Sequence, residues 1–338
     1  MTITNGAEVA EETPRTQSVS YSETSSYLLC RRKWEYGYGR SLQRINESFS
    51  MQLGSAGHSL LQAFYESILS EGDDLKKQGN KAAWERALAV AEARYAELVK
   101  DGFEDRDSKA PLREIVFDFY LNRDLDLEPF VLKGWRILAV EKKFALDTIL
   151  DDETGETVRT PIVVDLIAID PKGKTVVIDH KLLQDFYNSD AAAIQPQIPL
   201  YIAVLRGLNY KIDYGYYNML RNRAIKGTKR KDGTYPGATP EQRWDYLELS
   251  PNGQRVKRSF MEQLDVAQEI IALSSLSEEQ RDLKMHRVAN KMVCQSCSFK
   301  DLCTMELTGG NVPLLLRTEY KIRERQVFLT ESEEGDVA

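Results

Sequence analysis

The sequence predicts an α/β fold in which a mixed β-sheet is flanked by helices from both ends of the chain. Apolar residues recur at helical spacing before about residue 130 and again after about residue 250. Between these two regions the period shortens to alternating runs separated by turns, which is typical of strands. A chain of 338 residues exceeds what one simple core usually covers, so we expect either one central domain with helical additions or two closely packed lobes.

The N-terminal helical region is expected to cover residues 20–130. Its apolar and aromatic positions predict one helix around residues 27–34 and three more over residues 51–69, 81–99 and 112–127.

The core is expected over residues 131–250, in the order β-β-β-α-β, and a C-terminal helical region follows at residues 251–325. The turn-forming residues at 151–155 and 171–173 separate the first three strands. The predicted elements are strands at 135–146, 160–169, 175–181, 212–220 and 244–249, and helices at 195–206 and 254–273.

The two ends of the chain are expected to be unstructured. Residues 1–19 lack apolar periodicity, and residues 326–338 form an acidic tail. The first residues are polar and acidic, unlike a secretory signal, and no run of 18 apolar residues predicts a membrane helix. We therefore expect a cytoplasmic protein that makes no membrane contact and keeps its thiols reduced.

Acidic residues outnumber basic ones by 52 to 45, for a formal net charge of −7. This balance excludes a generally basic nucleic-acid coat but allows a local basic groove. A predicted insertion at residues 221–241 reverses the sign, which indicates either a phosphate-binding arm or a solvated loop. Its candidate DNA-binding cations are Arg221, Arg223, Lys226, Lys229, Arg230 and Lys231.

The triplet from Asp179 through His180 to Lys181 ends the third predicted strand. Alternate strand residues share a face, so Asp179 and Lys181 point one way and His180 points the other. A hairpin through residues 171–173 would bring Asp165 close to Asp179. Adjacent carboxylates repel each other, and Mg²⁺ or Mn²⁺ removes that cost, while a nearby lysine orients or deprotonates water or stabilises a phosphate. Exposed carboxylates beside a surface lysine are the alternative.

Further residues have the chemistry to complete such a site. His58 lies one helical turn after Gly54, whose missing side chain leaves room for close approach. Glu141 lies in an alternating strand. Gln197 and Tyr201 share a helix face at a helix N-terminus, which attracts phosphate, and Tyr201 has a ring that can stack on a base. The alternatives are core packing for the histidine and the Gln–Tyr pair, and a surface carboxylate for the glutamate.

The chain has four cysteines, of which Cys294, Cys297 and Cys303 form a C-x2-C-x5-C run. The fourth, Cys30, lies near the other end of the chain. A C-x2-C turn lets two thiolates bind one metal site. Four thiolates suit either zinc or a 4Fe–4S cluster, and the spacing alone does not choose between them.

Together these motifs resemble the PD-(D/E)XK nucleases, and specifically their RecB-like branch. The order in that branch is G-x-x-x-H, a strand Glu, a first Asp, D/E-x-K and Q-x-x-x-Y. The matching positions, in the same order, are Gly54 to His58, Glu141, Asp165, Asp179 to Lys181, and Gln197 to Tyr201. The one departure is Val164, where the superfamily's name has Pro, at a position that varies within the superfamily. The resemblance implies a restriction-endonuclease-like core.

The resemblance also implies a role for each matching residue. The metal-site candidates are His58, Asp165, Asp179 and His180, for Mg²⁺ or Mn²⁺. The other catalytic candidates are Lys181, which would position the attacking water, Glu141, which would line the site, and Gln197 and Tyr201, which would hold the substrate strand.

The cysteine pattern resembles that of AddB-type nucleases and CRISPR-adaptation nucleases. These place one cysteine before the nuclease core and a C-x2-C-x5-C trio after it, and the segments at residues 20–22 and 27–34 also look similar. The resemblance favours a structural 4Fe–4S cluster over zinc. Such a cluster would join the N- and C-terminal helical regions through their cysteines.

We therefore expect a metal-dependent DNA exonuclease that acts on single-stranded DNA or free ends in recombination, repair or replication, with a recombination or helicase partner. No P-loop motif occurs, so we expect no nucleotide cofactor. One alternative is an endonuclease or end-trimming subunit of a larger complex. The alternative from another class is a non-catalytic iron–sulfur protein that binds DNA or acts as a scaffold.

Overall fold

The computed structural model describes residues 17–105, 111–121, 133–151, 153, 155–222 and 240–323. Its strands are β1 (Gln17–Ser18), β2 (Leu42–Arg44), β3 (Arg136–Asp151), β4 (Glu156–Ile169), β5 (Thr175–Leu183), β6 (Tyr214–Arg221), β7 (Trp244–Leu249) and β8 (Tyr320–Ile322).

The helices fall into an N-terminal group, a pair inside the core and a C-terminal group. They are α1 (Tyr21–Leu29), α2 (Arg31–Trp34), α3 (Phe49–Leu69), α4 (Leu75–Gln78), α5 (Lys81–Lys100), α6 (Ser189–Ile194), α7 (Gln197–Gly207), α8 (Pro240–Arg243), α9 (Gly253–Ser274), α10 (Glu278–Lys284), α11 (Lys291–Gln295), α12 (Lys300–Thr308) and α13 (Val312–Glu319). Two π-helical segments span Glu35–Gly39 and Glu114–Leu121. Within the described residues no helix is both long enough and apolar enough to cross a membrane.

The central sheet has six strands in the order β1-β4-β5-β6-β7, with β3 also paired to β4. The β3–β4, β4–β5 and β6–β7 pairs are antiparallel, whereas β5 and β6 are parallel and are joined through α6 and α7. This arrangement confirms the predicted α/β class and the β-β-β-α-β order of the core.

Helices cover both faces of the sheet. Helix α3 packs with α5 on one face, against Ile178 and Leu220, and helix α7 packs with α9 on the other, against Val177 and Met219. The alternation of these strand residues between the two cores follows from the two-residue period of a strand.

Two glycines set how closely the helices approach the sheet. A Cβ at Gly57 of α3 would lie 2.6 Å from the Leu182 side chain of β5, and a Cβ at Gly215 of β6 would lie 2.5 Å from Ile198 of α7. Any larger residue would push a helix away from the sheet. At Gly54 of α3 the space where a Cβ would stand is open, which is consistent with the expectation that this glycine leaves room for close approach.

The two helical regions are joined away from the sheet. Strands β2 and β8 pair antiparallel, from Leu42 opposite Ile322 to Arg44 opposite Tyr320. A small apolar core forms beside them from Tyr36, Phe299, Leu302 and Tyr320.

The single helix predicted around residues 27–34 is wrong. Cys30 has extended backbone angles, φ −165° and ψ 112°, which end α1 and begin α2. The break leaves the Arg32 amide free of α1, and this amide donates a hydrogen bond to the His286 carbonyl, 3.2 Å away. The distant C-terminal segment therefore overrides local helical preference at this point.

The expectation that disorder extends to residue 19 is also corrected. Gln17 and Ser18 pair in parallel with Val158 and Arg159 of β4. Val19 is buried and its amide donates to the Arg159 carbonyl at 3.0 Å. Backbone pairing and burial thus order residues whose own sequence shows no strand pattern. Residues 1–16 and the acidic tail at 326–338 lie outside the described residues.

Candidate active site

The β4–β5 hairpin brings the two aspartates together. The two strands pair with Leu166 opposite Ile178, which sets Asp165 across from Asp179. The His180 amide donates a 2.7 Å hydrogen bond to Asp165 Oδ2. Both carboxylates are buried, with 8% of Asp165 and 2% of Asp179 exposed, so neither is the surface carboxylate of the alternative interpretation.

Helix α3 adds a histidine to this point of the sheet, and strand β3 adds a glutamate. His58 Nδ1 lies 3.6 Å from Asp165 Oδ2 and 3.7 Å from Glu141 Oε1. One ligand atom from each of the three residues lies within 4.8 Å of the other two. Two carboxylate oxygens and an imidazole nitrogen at this spacing suit a divalent cation such as Mn²⁺ or Mg²⁺.

Glu141 adopts a backbone conformation that is unusual for a strand. Its φ is +46°, a left-handed value, although its neighbours Val140 and Lys142 pair regularly with Leu166 and Val164. Such a conformation in a non-glycine residue costs on the order of 1–3 kcal/mol and clusters at functional sites. Here it occurs opposite Asp165, where the glutamate carboxylate joins the histidine.

A second group of hydrogen-bonded side chains connects Asp179 to helix α7. Lys181 Nζ lies 2.8 Å from Asp179 Oδ2 and donates a 2.8 Å hydrogen bond to Gln197 Oε1. Gln197 Nε2 in turn donates to the Tyr201 hydroxyl at 2.8 Å. Gln197 is the first residue of α7, and Pro199 is accommodated in the first turn, as expected.

The crowding of charged groups at this point changes the pKa of Asp165 and of His58. Burial and the charge of Asp179 raise the pKa of Asp165 to about 7, against the opposing effect of His58. Burial disfavours protonation of His58, but its hydrogen bond to Glu141 and the charge of Asp165 outweigh burial and raise its pKa. Acids that shift in this way in a shared pocket are typical of catalytic or metal-binding sites.

The His180 side chain lies on the α3 face of the sheet, with its ring centroid 6.5 Å from that of His58. Its ring stacks on Tyr65 at 5.6 Å between centroids, and its Nδ1 lies 2.8 Å from Asn218 Nδ2, an amide held by the Trp244 indole. Burial and the nearby His58 lower the pKa of His180 to about 3, so the ring is neutral. The set of residues with ligand spacing contains Glu141 and not the His180 imidazole.

The remaining residues expected to contact the substrate are Tyr201 and the cations of the predicted basic segment. Tyr201 is only 6% exposed, so its ring has no free face for stacking on a base. Arg221 lies at the end of β6 with its guanidinium 4.1 Å from the Phe186 ring centroid. The remaining five cations of the predicted basic segment, Arg223, Lys226, Lys229, Arg230 and Lys231, lie outside the described residues.

The four cysteines come from regions that the fold brings together. Cys297 and Cys303 pack beside Tyr36 and Phe299, and Cys294 is exposed. Burial raises the pKa of the Cys297 thiol, opposed by the Phe299 amide and Lys33, and the nearby Cys30 and Cys303 thiols raise it further. Cys30 therefore lies near the C-terminal trio despite its distance along the sequence.

A cleft of about 1240 Å³ borders the site through Tyr201. Sequence reasoning missed it, because its walls come from segments far apart in the chain. These are residues 17–23, the middle of the core strand β4, helix α9 and the segment that follows α13. The carboxylates lie beyond its Tyr201 side rather than among its lining residues.

Comparison with known proteins identifies the family of this chain. The family model described as the PD-(D/E)XK nuclease superfamily matches residues 18–304, which is most of the chain. No curated protein gave a significant match. The crystal structure of SSO0001 aligns over 86% of this chain and 87% of its own, with 10% sequence identity and a TM-score of 0.33, a likeness too weak to support an argument. The chain belongs to the PD-(D/E)XK nuclease superfamily, whose members hydrolyse the phosphodiester bonds of DNA with divalent metal ions.

Proposed function

We propose that the protein is a metal-dependent exonuclease that degrades DNA from single-stranded ends. The observation that carries the proposal is the convergence of His58, Glu141 and Asp165 beside the Asp179–Lys181 pair. The first three residues, with Asp179 adjoining them, would hold Mg²⁺ or Mn²⁺. The metal, when bound, supplies a Lewis acid for the phosphate and lowers the pKa of a water molecule.

The protein's own groups have distinct parts in this proposal. Lys181 is oriented by two acceptors, Asp179 and Gln197, so its ammonium is directed at a fixed point of the site. There it donates a hydrogen bond to the attacking water or to the scissile phosphate. Tyr201 holds the Gln197 amide, so the tyrosine acts through the glutamine and lysine instead of touching a base.

Exonuclease action on single strands is supported by the lining of the neighbouring cleft. Its walls carry hydroxyl and amide side chains such as Ser20, Ser22 and Gln43, together with Lys321 and Arg323. These groups suit sugar and phosphate contacts that carry no sequence information. An endonuclease or end-trimming subunit of a larger complex would use the same residues, so product analysis distinguishes the two.

A digestion assay with end-labelled single strands tests the proposal. We expect Mn²⁺-dependent release of short products by the wild-type protein and none by Asp179→Ala. Asp265→Ala removes an exposed carboxylate on α9 and is the matched control, which should cleave as wild type does. No cleavage by wild type, or equal cleavage by Asp179→Ala, contradicts a nuclease role and favours a non-catalytic DNA-binding protein. Cleavage of circular single strands would favour an endonuclease.

We also propose that Cys30, Cys294, Cys297 and Cys303 hold a 4Fe–4S cluster with a structural role. The break at Cys30 and the position of Cys297 beside it and Cys303 support this assignment, since both ends of the chain then meet at one group. Such a link closes a very long loop, which restricts the unfolded chain. Iron content and visible absorption of anaerobically purified protein test it, and bound zinc without iron would overturn it.

For the biological setting we propose the cytoplasm and a role in recombination, repair or replication beside a helicase or recombination partner. The support is the RecB-like order of motifs in a chain that contains no P-loop of its own. Copurification of a DNA-dependent ATPase with the tagged protein tests the partner, and a protein that always purifies alone would contradict it.

A further inference from the structure

Four tyrosines gather on the α7 side of the Asp179–Lys181 pair: Tyr21, Tyr187, Tyr201 and Tyr217. Two of them are buried, and their rings are surrounded by other side chains of the protein. Tyr201 and Tyr217 are 6% and 0% exposed, and their rings belong to the core between the sheet and α7. Tyr21 and Tyr187 pack against this core but are only partly buried, so each residue keeps part of its surface accessible.

Tyr187 lies directly beside the catalytic strand. Its ring meets the Tyr217 ring edge-on, with centroids 5.5 Å apart, and its amide contacts Met219 Sδ at 3.3 Å. Tyr217 and Met219 are the β6 partners of Asp179 and Lys181. The ring of Tyr187 is therefore held one strand away from the reacting groups.

Tyr21 approaches the same place from the N-terminal region. It is the first residue of α1, whose N-cap Ser20 accepts a hydrogen bond from the Glu23 amide. With Tyr201 it lines the 1240 Å³ cleft, on the side where the cleft borders the site. The helix cap fixes the backbone that carries the ring, so the ring is presented on a rigid element.

We propose that Tyr21 and Tyr187 are substrate-binding residues that stack on unpaired bases of the strand being cleaved. This inference rests on the proposed nuclease function and gives the site its requirement for single-stranded DNA. Stacking tolerates any base, because every base has a π-face, but a duplex keeps its bases stacked on each other. The Phe186 ring beside Tyr187 carries the Arg221 guanidinium, which places a cation next to the platform.

A binding experiment tests the platform separately from catalysis. The affinity for a fluorescent single-stranded oligonucleotide is measured by anisotropy in EDTA, and again with the same oligonucleotide carrying abasic sites at its end. For wild type we expect the abasic strand to bind on the order of 10- to 100-fold more weakly. A ratio near one for wild type would overturn the proposal without any variant.

Three variants assign the effect to the rings. Tyr187→Leu and Tyr21→Leu should each reduce the ratio between the two affinities, whereas Tyr187→Phe should keep it. Tyr246→Leu removes a ring of β7, 40% exposed, that packs against Tyr216 in the core on the opposite face of the sheet, and should bind as wild type does. An unchanged ratio in both leucine variants contradicts stacking. An equal loss in Tyr187→Phe would assign the contact to the hydroxyl and also overturn stacking.

The same preparations separate this inference from the proposed function. Cleavage in Mn²⁺ by wild type with no discrimination against abasic strands keeps the nuclease and rejects the platform. Discrimination without any cleavage keeps the platform as a single-strand binding site and rejects the exonuclease.

Discussion

Two groups of buried charge in this protein are assembled in opposite ways. At the active site, Asp165, Asp179 and Glu141 crowd together, with Lys181 and the His58 imidazole beside them. Burial and the neighbouring charge of Asp179 raise the pKa of Asp165 to about 7.

In the region that joins the two ends of the chain, each buried charge meets its opposite. Glu35 is fully buried and accepts from Arg281 at 3.1 Å and Arg40 at 3.4 Å. Arg32, which is 4% exposed, binds both Asp282 and Glu306. We call the pairing of Arg32 with Glu306, together with the hydrogen bonds that Tyr36 and Arg287 donate to Glu306, the Arg32–Glu306 network.

The first group therefore has the features of a binding site, and the second has those of a structural connection between the two ends of the chain. A buried ion pair is satisfied within the protein, and breaking it leaves an uncompensated charge. The three acids of the candidate site outnumber the one lysine beside them, so their mutual repulsion weakens the fold until a cation binds. Removing a residue should therefore harm activity at one region and stability at the other.

The largest effect is expected for Lys181→Met. Loss of the ammonium removes the donor to water or phosphate, so we expect kcat to fall by about 100- to 10,000-fold. The measurement is the rate of single-strand digestion at saturating Mn²⁺. Lys172→Met changes an exposed lysine in the turn of the same hairpin and should leave kcat unchanged. A similar kcat for both variants would remove Lys181 from the chemistry.

The next largest effect is expected for the ion pairs that connect the two ends of the chain. Glu306→Gln leaves Arg32 with one carboxylate fewer, and we expect the free energy of unfolding to fall by about 3–5 kcal/mol. Denaturant titration measures it. Glu262→Gln breaks an exposed pair with Arg258 on α9 and should change stability by no more than about 0.5 kcal/mol. Equal losses of stability in the two variants would show that the Arg32–Glu306 network does not stabilise the connection between the two ends of the chain.

A smaller effect is expected on the stability of the protein when the metal binds. Because burial and Asp179 raise the pKa of Asp165, the folded protein binds this proton more tightly than the unfolded chain does. That contribution to stability is complete below about pH 4 and is lost as the pH rises through about 7. Mn²⁺ at one hundred times its Kd should then stabilise the protein by about 2.7 kcal/mol at pH 8. Melting curves with and without Mn²⁺ at pH 5 should show a much smaller gain.

The smallest effect is expected for Asp165→Asn in metal-free protein. The amide removes one of the crowded charges, so we expect a gain of about 1–2 kcal/mol at pH 8, with loss of activity and of the response to Mn²⁺. Melting temperature and Mn²⁺ titration of the variant check this. Lower stability than wild type at pH 8 would mean that the carboxylate stabilises the fold without a metal.

Much of the core was predictable because its patterns are local. The strand alternation around Asp179 and the turn at residues 171–173 are short-range signals, and they predicted the hairpin that sets Asp165 across from Asp179. Gln197 at a helix start followed in the same way from the two prolines beside it.

Contacts between distant segments were not predictable from such patterns. The break at Cys30 depends on His286, which lies far along the chain. The left-handed backbone of Glu141 and the close approach at Gly57 depend on which strand and helix lie opposite them. The partial exposure of Tyr21 and Tyr187 and the burial of Tyr201 depend on packing, since the three residues are chemically identical.

The sequence by itself determined the order of strands and helices and the chemical types available to the site, because alternation, turn residues and motif spacing act over a few residues. Only the tertiary structure decided which acid lies beside His58 and Asp165, which tyrosines are partly exposed and which charges are paired. These outcomes depend on distances between segments that are remote in the chain, and such distances exist only after the sheet and its covering helices have packed.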